Sequence, residues 1–287
     1  MRKIIELLRN FNELVMFQHT IFSLPFIFIA MIISANGWFG WKLTLLAIVA
    51  GISARNFAMA FNRLVDINHD SKNARTLNRP SVDGRLSKLQ ISIFTFLNGF
   101  IFIIIAKYIN DLAFILAIPM LIVIASYSYF KRFSYFAHIV LGISLSFAPI
   151  AGVVAIENMI PFWTILLSLG VMFWVAGFDL LYSLQDLEFD KKFGLHSIPA
   201  KFGKNRTLKI SAIFHLLTII FWTASIFYAN LGLIAKTIPI ISALMLSYEH
   251  IIVRRDFNKI NRAFFTINGY LGIIFLMLII LDNLFKI

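Results

Sequence analysis

The sequence predicts an all-α, polytopic membrane protein. The chain is 60% hydrophobic with a mean hydropathy of +0.84 and only 14% charged residues, too few to solvate the surface of a soluble protein of 287 residues. Its apolar runs recur at roughly 20 residues, the length that crosses a bilayer as a helix. A membrane barrel would show short alternating segments instead. With no cysteine, disulfides, thiolate metal sites and cysteine nucleophiles are excluded. The net charge of +12 raises nucleic acid as a partner, but in a membrane protein an excess of Lys and Arg sets topology, so no nucleic-acid partner is expected.

From the N-terminus, residues 1–17 read as a basic amphipathic segment lying on the membrane surface, with Ile4, Leu7, Leu8 and Phe11 toward one side and Arg2, Lys3 and Arg9 available to headgroups. No small-residue cleavage site follows a continuous apolar core, so no removable signal peptide is expected. Nine candidate spans follow, at about 18–35, 42–65, 89–109, 111–130, 135–155, 160–183, 208–229, 231–250 and 263–284. They form a single domain over 1–287, with no linker or low-complexity tract between them. Most basic residues fall in the N-terminal segment and in the loops after spans 2, 4, 6 and 8. The positive-inside rule therefore puts the N-terminus and those loops on the cytoplasmic side of a cell's inner membrane. Small residues such as Gly51, Ser53 and Ala54, or Gly142, Ser144 and Ser146, permit close helix packing.

Chemistry concentrates in two stretches. Asn62, Asp66 and Asp70 fall at i, i+4 and i+8 and share a helical stripe. Arg75 and Arg79 repeat the spacing with the opposite charge, one and two turns further if the helix persists. About half a chain later, Asp179, Tyr182, Asp186 and Asp190 form a second acidic face. NxxxDxxxD at Asn62 to Asp70 matches YxxxDxxxD at Tyr182 to Asp190, a weak internal repeat that suggests two related halves around a central cavity. An ionised Asp costs several kcal/mol at membrane depth. One such residue reads as a wet loop carboxylate, but two spaced clusters need a ligand. Opposed hard oxygen donors suit Mg²⁺, whose shell is completed by water and phosphate oxygens, so the implied ligand is a diphosphate. Arg75, Arg79 and Lys131, the last with Tyr127 four residues before it, supply anion contacts. Arg55 lies inside span 2, where an unpaired guanidinium is costly, and is expected to meet a protein or substrate carboxylate. Phe57, Phe61, Phe173 and Phe178 read mainly as packing residues that could also face an isoprenoid or a carbocation. The six histidines show no paired spacing for zinc, and no GxxxxGKS/T loop or GxSxG elbow occurs.

At these residues the chain resembles the UbiA superfamily of intramembrane aromatic prenyltransferases. Asn62-Arg-Leu-Val-Asp66-Ile-Asn-His-Asp70 resembles the family's NxxxDxxxD, and Asp179-Leu-Leu-Tyr182-Ser-Leu-Gln-Asp186-Leu-Glu-Phe-Asp190 its DxxYxxxDxxxD. Agreement extends to Tyr127 with Lys131, to Arg75 and Arg79, to His19-Thr-Ile-Phe-Ser-Leu-Pro25 and to Ser197-Ile-Pro-Ala-Lys-Phe-Gly203. The stretches look most like the 4-hydroxybenzoate polyprenyltransferase branch, which includes similar hydroxynaphthoate-prenylating enzymes of menaquinone synthesis. The resemblance implies a nine-helix bundle, a pair of Mg²⁺ ions under a cytoplasmic cap and a lateral opening for a prenyl tail. Asn62, Asp66, Asp70, Asp186 and Asp190 would then hold Mg²⁺ against a polyprenyl diphosphate, with Arg75, Lys131 and Arg79 on the leaving group. Arg55 would pair with the carboxylate of an aromatic hydroxy acid, and Asp179 and Tyr182 would orient that acceptor or support the metal. A transporter using the intramembrane acids is the rival from another class. It predicts acids at mid-bilayer, whereas these cluster at helix ends beside Arg and Lys. A CDP-alcohol phosphotransferase is disfavoured because its DGxxAR lead into the aspartates is absent.

Overall fold

The computed structural model describes residues 2–16 and 22–285, which form helices joined by short turns, with no strand among them. The order is α1 (Arg2–Val15), α2 (Leu24–Ala35), α3 (Trp41–Asp70), α4 (Lys88–Ile109), α5 (Asp111–Phe130), α6 (Ala137–Glu157), α7 (Phe162–Ser183), α8 (Leu187–Lys192), α9 (Ile198–Tyr228), α10 (Ile238–Arg255), the single turn α11 (Ile260–Arg262) and α12 (Asn268–Phe285).

Local chemistry sets many of the boundaries. Pro25 sits in the first turn of α2, and Asn36 ends that helix in the left-handed region at φ 49°. Ser87 and Gln90 form a reciprocal capping box at the start of α4. Asn110 caps α5 by accepting from the Ala113 amide at 2.8 Å, and its own amide donates to the Val154 carbonyl at 2.7 Å, tying the α4–α5 turn to α6. Within α9, Gly203 at φ 74° breaks the helix, so the expected 208–229 span gains a preceding stretch from Ile198.

Eight helical segments among the described residues are long and apolar enough to cross a membrane. The multi-pass reading holds, and large apolar side chains such as Phe96, Ile104, Ile122 and Leu244 stand exposed along these helices as lipid contacts. Of the nine expected spans, the first is represented by α2, whose 12 residues rise only about 18 Å against a hydrocarbon core of about 30 Å. His19, Thr20 and Ile21 of the motif that precedes it lie outside the described residues. Trp38 and Trp41 are exposed at the start of α3, the place for an interfacial aromatic belt.

Three sequence expectations need correction. Residues 2–15 form a helix, but its apolar residues divide: Leu7, Phe11 and Leu14 pack with Ala60, Leu64, Leu86 and Ile91, while Ile4, Ile5 and Leu8 face outward. The single apolar face expected for Ile4, Leu7, Leu8 and Phe11 is thus shared between protein and surroundings. Next, α3 does not persist to Arg75 and Arg79. It ends at Asp70, whose carbonyl accepts from the Thr76 hydroxyl at 2.7 Å, and successive turns carry the chain to Ser87. The arginines reach the acids by folding back, not by helical stacking. Finally, the second acidic stretch is not one α-helix: α7 tightens into a 3₁₀ turn at Leu184–Asp186 before α8.

The core sits where α2, α7, α9 and α12 meet, around Phe26, Trp174, Trp222 and Phe275. Between lipid-immersed helices close packing rather than the hydrophobic effect drives association. α7 achieves it with glycine: a Cβ at Gly170 or Gly177 would run into Trp222 or His215 of α9. This fixes α7, and with it the second acidic motif, as the central strut. α3, α4, α5 and α6 pack beside it and enclose the space opposite α9.

Candidate active site

The C-terminal ends of α3, α5 and α7 lie on one side of the bundle, where their last-turn carbonyls favour cations. Together with the 71–87 segment and α8 they wall the polar end of a cavity of about 360 Å³. All twelve residues singled out from the sequence line it: Arg55, Asn62, Asp66, Asp70, Arg75, Arg79, Tyr127, Lys131, Asp179, Tyr182, Asp186 and Asp190. The two acidic motifs therefore face one space.

Each acid has a distinct set of partners. Asp70 pairs with Arg79, nine residues on. Asp186 accepts a fork of two hydrogen bonds from Arg75, Nε to Oδ1 at 3.1 Å and Nη2 to Oδ2 at 2.7 Å, and a third from Asn73 at 3.2 Å. The same guanidinium donates to the Tyr182 hydroxyl at 3.2 Å. Asp66 accepts from Asn62 at 2.9 Å and lies 3.5 Å from Arg132, which also donates to the Val65 carbonyl. Asp179 shares a 2.6 Å hydrogen bond with Nδ1 of His138. Asp190 is buried, and its Oδ2 has no hydrogen-bond partner among the described residues.

The cations at the mouth keep their charge. Burial opposes protonation of Arg75, but Asp186 and Tyr182 outweigh it and hold the guanidinium above its ordinary value. Lys131, at the end of α5, is likewise disfavoured by burial, and its neighbours Tyr127, Asp190, Asp179 and Asp186 push it up regardless. Deeper in the bundle, Arg55 lines the cavity with a buried Nε that no acceptor meets. Among the described residues no protein carboxylate is placed against it, so the substrate alternative stays open.

No three His, Asp or Glu side chains among the described residues converge tightly enough to enclose one ion as they stand. The physical reason is that Asp70 and Asp186 are turned toward arginines. The donor set nevertheless fits a hard cation: oxygen ligands from opposed helices border one space, and Asp190 Oδ2 lacks any protein donor.

Beyond the acids the cavity turns apolar. Ala47, Ala50, Gly51, Ala54 and Ala58 of α3 face it, as do Ala148, Ala151 and Ala155 of α6. From Ala47 to Asp70 the helix rises about 35 Å, so the lining extends over most of a bilayer's thickness. Of the four phenylalanines, Phe178 lines the cavity; Phe173 instead stacks on Phe214 and Phe221, and Phe57 packs on Phe61 and closes on Gly99.

Several site residues escaped sequence reasoning. Arg63 is buried and donates to the Asn62 amide oxygen at 3.3 Å, and its one signal was being a second arginine left inside the apolar run. Arg132 read as a topology anchor. Asn73 and His138 carried no signal, since their partners lie 113 and 41 residues away.

This arrangement of opposed acids, mouth cations and a long apolar slot corresponds to a match with the UbiA prenyltransferase family over residues 23–278. The chain belongs to that family. A UbiA homolog from Aeropyrum pernix K1, solved in its apo form, superposes with a TM-score of 0.84 at 30% identity, covering 93% of this chain and 98% of that one. A UbiA homolog from Archaeoglobus fulgidus, bound to GPP and Mg²⁺, superposes at 0.75 with 21% identity over 94% and 99% of the two chains. Similar curated sequences are 4-hydroxybenzoate octaprenyltransferases. That of Saccharophagus degradans is 25% identical over 253 residues, 88% of this chain and 84% of the relative, and that of Methylobacillus flagellatus 27% over 244 residues, 81% and 79%. This UbiA-family protein is thus a prenyltransferase, and the transporter reading gives way.

Proposed function

We propose that the protein transfers a polyprenyl group from a polyprenyl diphosphate to an aromatic hydroxy acid, 4-hydroxybenzoate or a hydroxynaphthoate, in ubiquinone or menaquinone biosynthesis. The observation that carries the acceptor class is Arg55, a buried guanidinium in the cavity wall with an unanswered Nε. An aromatic carboxylate satisfies it and so selects an acid over a plain phenol. The names of the similar curated sequences point to the same class.

The chain's own residues divide the work. Asn62, Asp66, Asp70, Asp186 and Asp190 provide the oxygen ligands for Mg²⁺, which when bound supplies charge neutralisation for the departing diphosphate. Arg75, Arg79 and Lys131 complement the same charge and hold the leaving group at the mouth. Arg55 anchors the acceptor carboxylate, and Tyr127, buried beside Lys131, shapes the acceptor's place between them. Tyr182 fixes Arg75 through its hydroxyl. The apolar slot takes the prenyl tail and excludes water that would quench an allylic cation. The positive loops favour the cytoplasmic face of the inner membrane for the mouth and the N-terminus.

The test is to incubate membranes containing the protein with Mg²⁺, a polyprenyl diphosphate and one acceptor at a time. A prenylated product is expected with an aromatic hydroxy acid and little with the phenol lacking its carboxylate. Arg55→Ala should raise the acceptor KM. Failure to prenylate any aromatic acid would overturn the reading.

A further inference from the structure

Removing the diphosphate is only half of an aromatic prenylation, because the ring that gains the prenyl group must also lose a proton. Arg75, Lys131 and the ion-paired Asp70 and Asp186 are poorly suited to take it: the two cations hold their protons, and the acids are engaged by guanidinium groups. Asp179 differs from the other acids of the cavity. It stands on α7 almost two turns before Asp186, and its partner is an imidazole. His138, in the first turn of α6, is completely buried, and its Nδ1 lies 2.6 Å from Asp179 Oδ2. Its Nε2 has no partner among the described residues. Asp179 retains 13% side-chain exposure and lines the cavity, whereas His138 does not. The imidazole thus backs the carboxylate from the side away from the substrate.

The place of Asp179 suits the acceptor. Arg55, Tyr127 and Asp179 line the same cavity, so the proposed carboxylate anchor and this acid border one space. The titratable groups facing the pair include Tyr127 of α5, Lys131 just after it, and Asp190 of α8.

We infer that Asp179 is the proton acceptor of the transfer and that His138 is the residue that positions it. The inference rests on the proposed aromatic prenylation. The C–O bond of the prenyl diphosphate breaks with its electron pair going to the diphosphate. An electron pair of the ring forms the new C–C bond to the allylic carbon. The proton on that ring carbon passes to a carboxylate oxygen of Asp179, and the C–H electron pair returns to the ring and restores its aromaticity. His138 donates from Nδ1 to Oδ2, which orients the carboxylate and leaves Oδ1 to receive the proton. The order of groups, substrate then carboxylate then imidazole, uses a hydrogen-bonded partner to hold a base in position.

The experiment uses the full chain in membranes with Mg²⁺, a polyprenyl diphosphate, and the aromatic hydroxy acid in protonated-ring and ring-deuterated forms. Asp179→Asn is expected to lower kcat by about 10²-fold or more while leaving the KM for the diphosphate unchanged. His138→Leu should lower kcat in the same direction, and His138→Asn, whose amide can donate near the Nδ1 position, should restore most of it. Both damaged variants should show a primary isotope effect with the deuterated ring that the unaltered protein lacks, because proton loss becomes rate-limiting. A purely structural role for His138 moves neither the isotope effect nor the rescue. Normal kcat in Asp179→Asn, or a loss seen only as a raised diphosphate KM, would overturn the inference while leaving the prenylation reading intact. An unaltered protein that prenylates no aromatic acid would remove both.

Discussion

The two acidic motifs look alike in sequence and are satisfied in different ways. The first is answered mainly within its own segment: Asp66 by Asn62 one turn earlier, with the more distant Arg132 at 3.5 Å, and Asp70 by Arg79 nine residues later. The second is answered from across the bundle. Asp186 takes Arg75 and Asn73 over separations of 111 and 113 residues, Asp179 takes His138 over 41, and Asp190 Oδ2 takes nothing from the protein. The 71–87 segment mediates this difference. Its Arg79 folds back on α3, its Arg75 crosses to the end of α7, and its Arg85 reaches Glu13 of α1. Equal spacing of acids therefore does not imply equal dependence on tertiary assembly.

The largest test of that contrast removes an acid from each motif. Asp66→Ala and Asp186→Ala should each abolish Mg²⁺-dependent transfer, with a loss of at least about 10²–10³-fold in kcat, while the protein remains folded in detergent. Turnover retained in either variant, measured by product formation against Mg²⁺ concentration, would remove that acid from the metal set.

Removing the arginines sharpens the comparison. Arg75→Ala deprives Asp186 of its fork and leaves Asn73 as the remaining donor from the 71–87 segment to that acid, whereas Arg79→Ala breaks a contact to Asp70 only nine residues away. We expect Arg75→Ala to raise the diphosphate KM by about tenfold or more, since a charge-assisted fork is worth roughly 1.5–3 kcal/mol. It should cost about 1 kcal/mol of stability, between exposed and buried pairs, because Arg75 is 35% exposed. Arg79→Ala should do less on both counts. Equal effects, by KM and thermal melting, would show that the two pairs are equivalent.

The legible and illegible parts of the site divide along the same line. Asn62, Asp66 and Asp70 were readable because their i, i+4 spacing is a local property of a helix, and α3 realises it. Repeating that spacing through Arg75 and Arg79 failed because Asn73 and Thr76 end the helix with side-chain and backbone turns, so the right residues arrive by another route. Arg55 was readable from cost alone, a charge inside an apolar run. His138 and Asn73 were not, since nothing local distinguishes a buried histidine or a loop asparagine until α6 and the 71–87 segment are placed beside α7. Membrane spans were legible from hydropathy except at α2, where twelve residues do not span on their own.

The third arginine of the segment gives a smaller effect with a defined pH sign. Arg85 donates to both oxygens of Glu13, at 2.6 and 2.8 Å, and these hydrogen bonds hold the Glu13 carboxyl below its ordinary value of 4.5. A depressed carboxyl stabilises the fold above its unfolded pKa and loses that contribution as pH falls through the depressed value. The pair is solvent-exposed, so Glu13→Gln should cost no more than about 1 kcal/mol near neutral pH. The difference from the unaltered protein should close as pH falls through that depressed value. A gap that persists undiminished in acid, by thermal melting in detergent, would assign the effect to packing of α1 instead.

The smallest effect is expected at an acid that belongs to neither motif. Glu249 is buried in α10, away from the cavity lining, and its Oε1 accepts from the Asn268 amide at 2.7 Å while Trp174 donates to the Asn268 oxygen at 2.7 Å. Its second oxygen is unpartnered. A glutamine of the same shape preserves the acceptor facing Asn268 and removes the carboxyl. Glu249→Gln should therefore leave transfer kinetics unchanged, because the Trp174–Asn268–Glu249 chain supports α7 by geometry alone. A fall in kcat without a fall in melting temperature would mean that charge at Glu249 reaches the cavity through α7. The division between acids that do chemistry and acids that hold helices would then have to be redrawn.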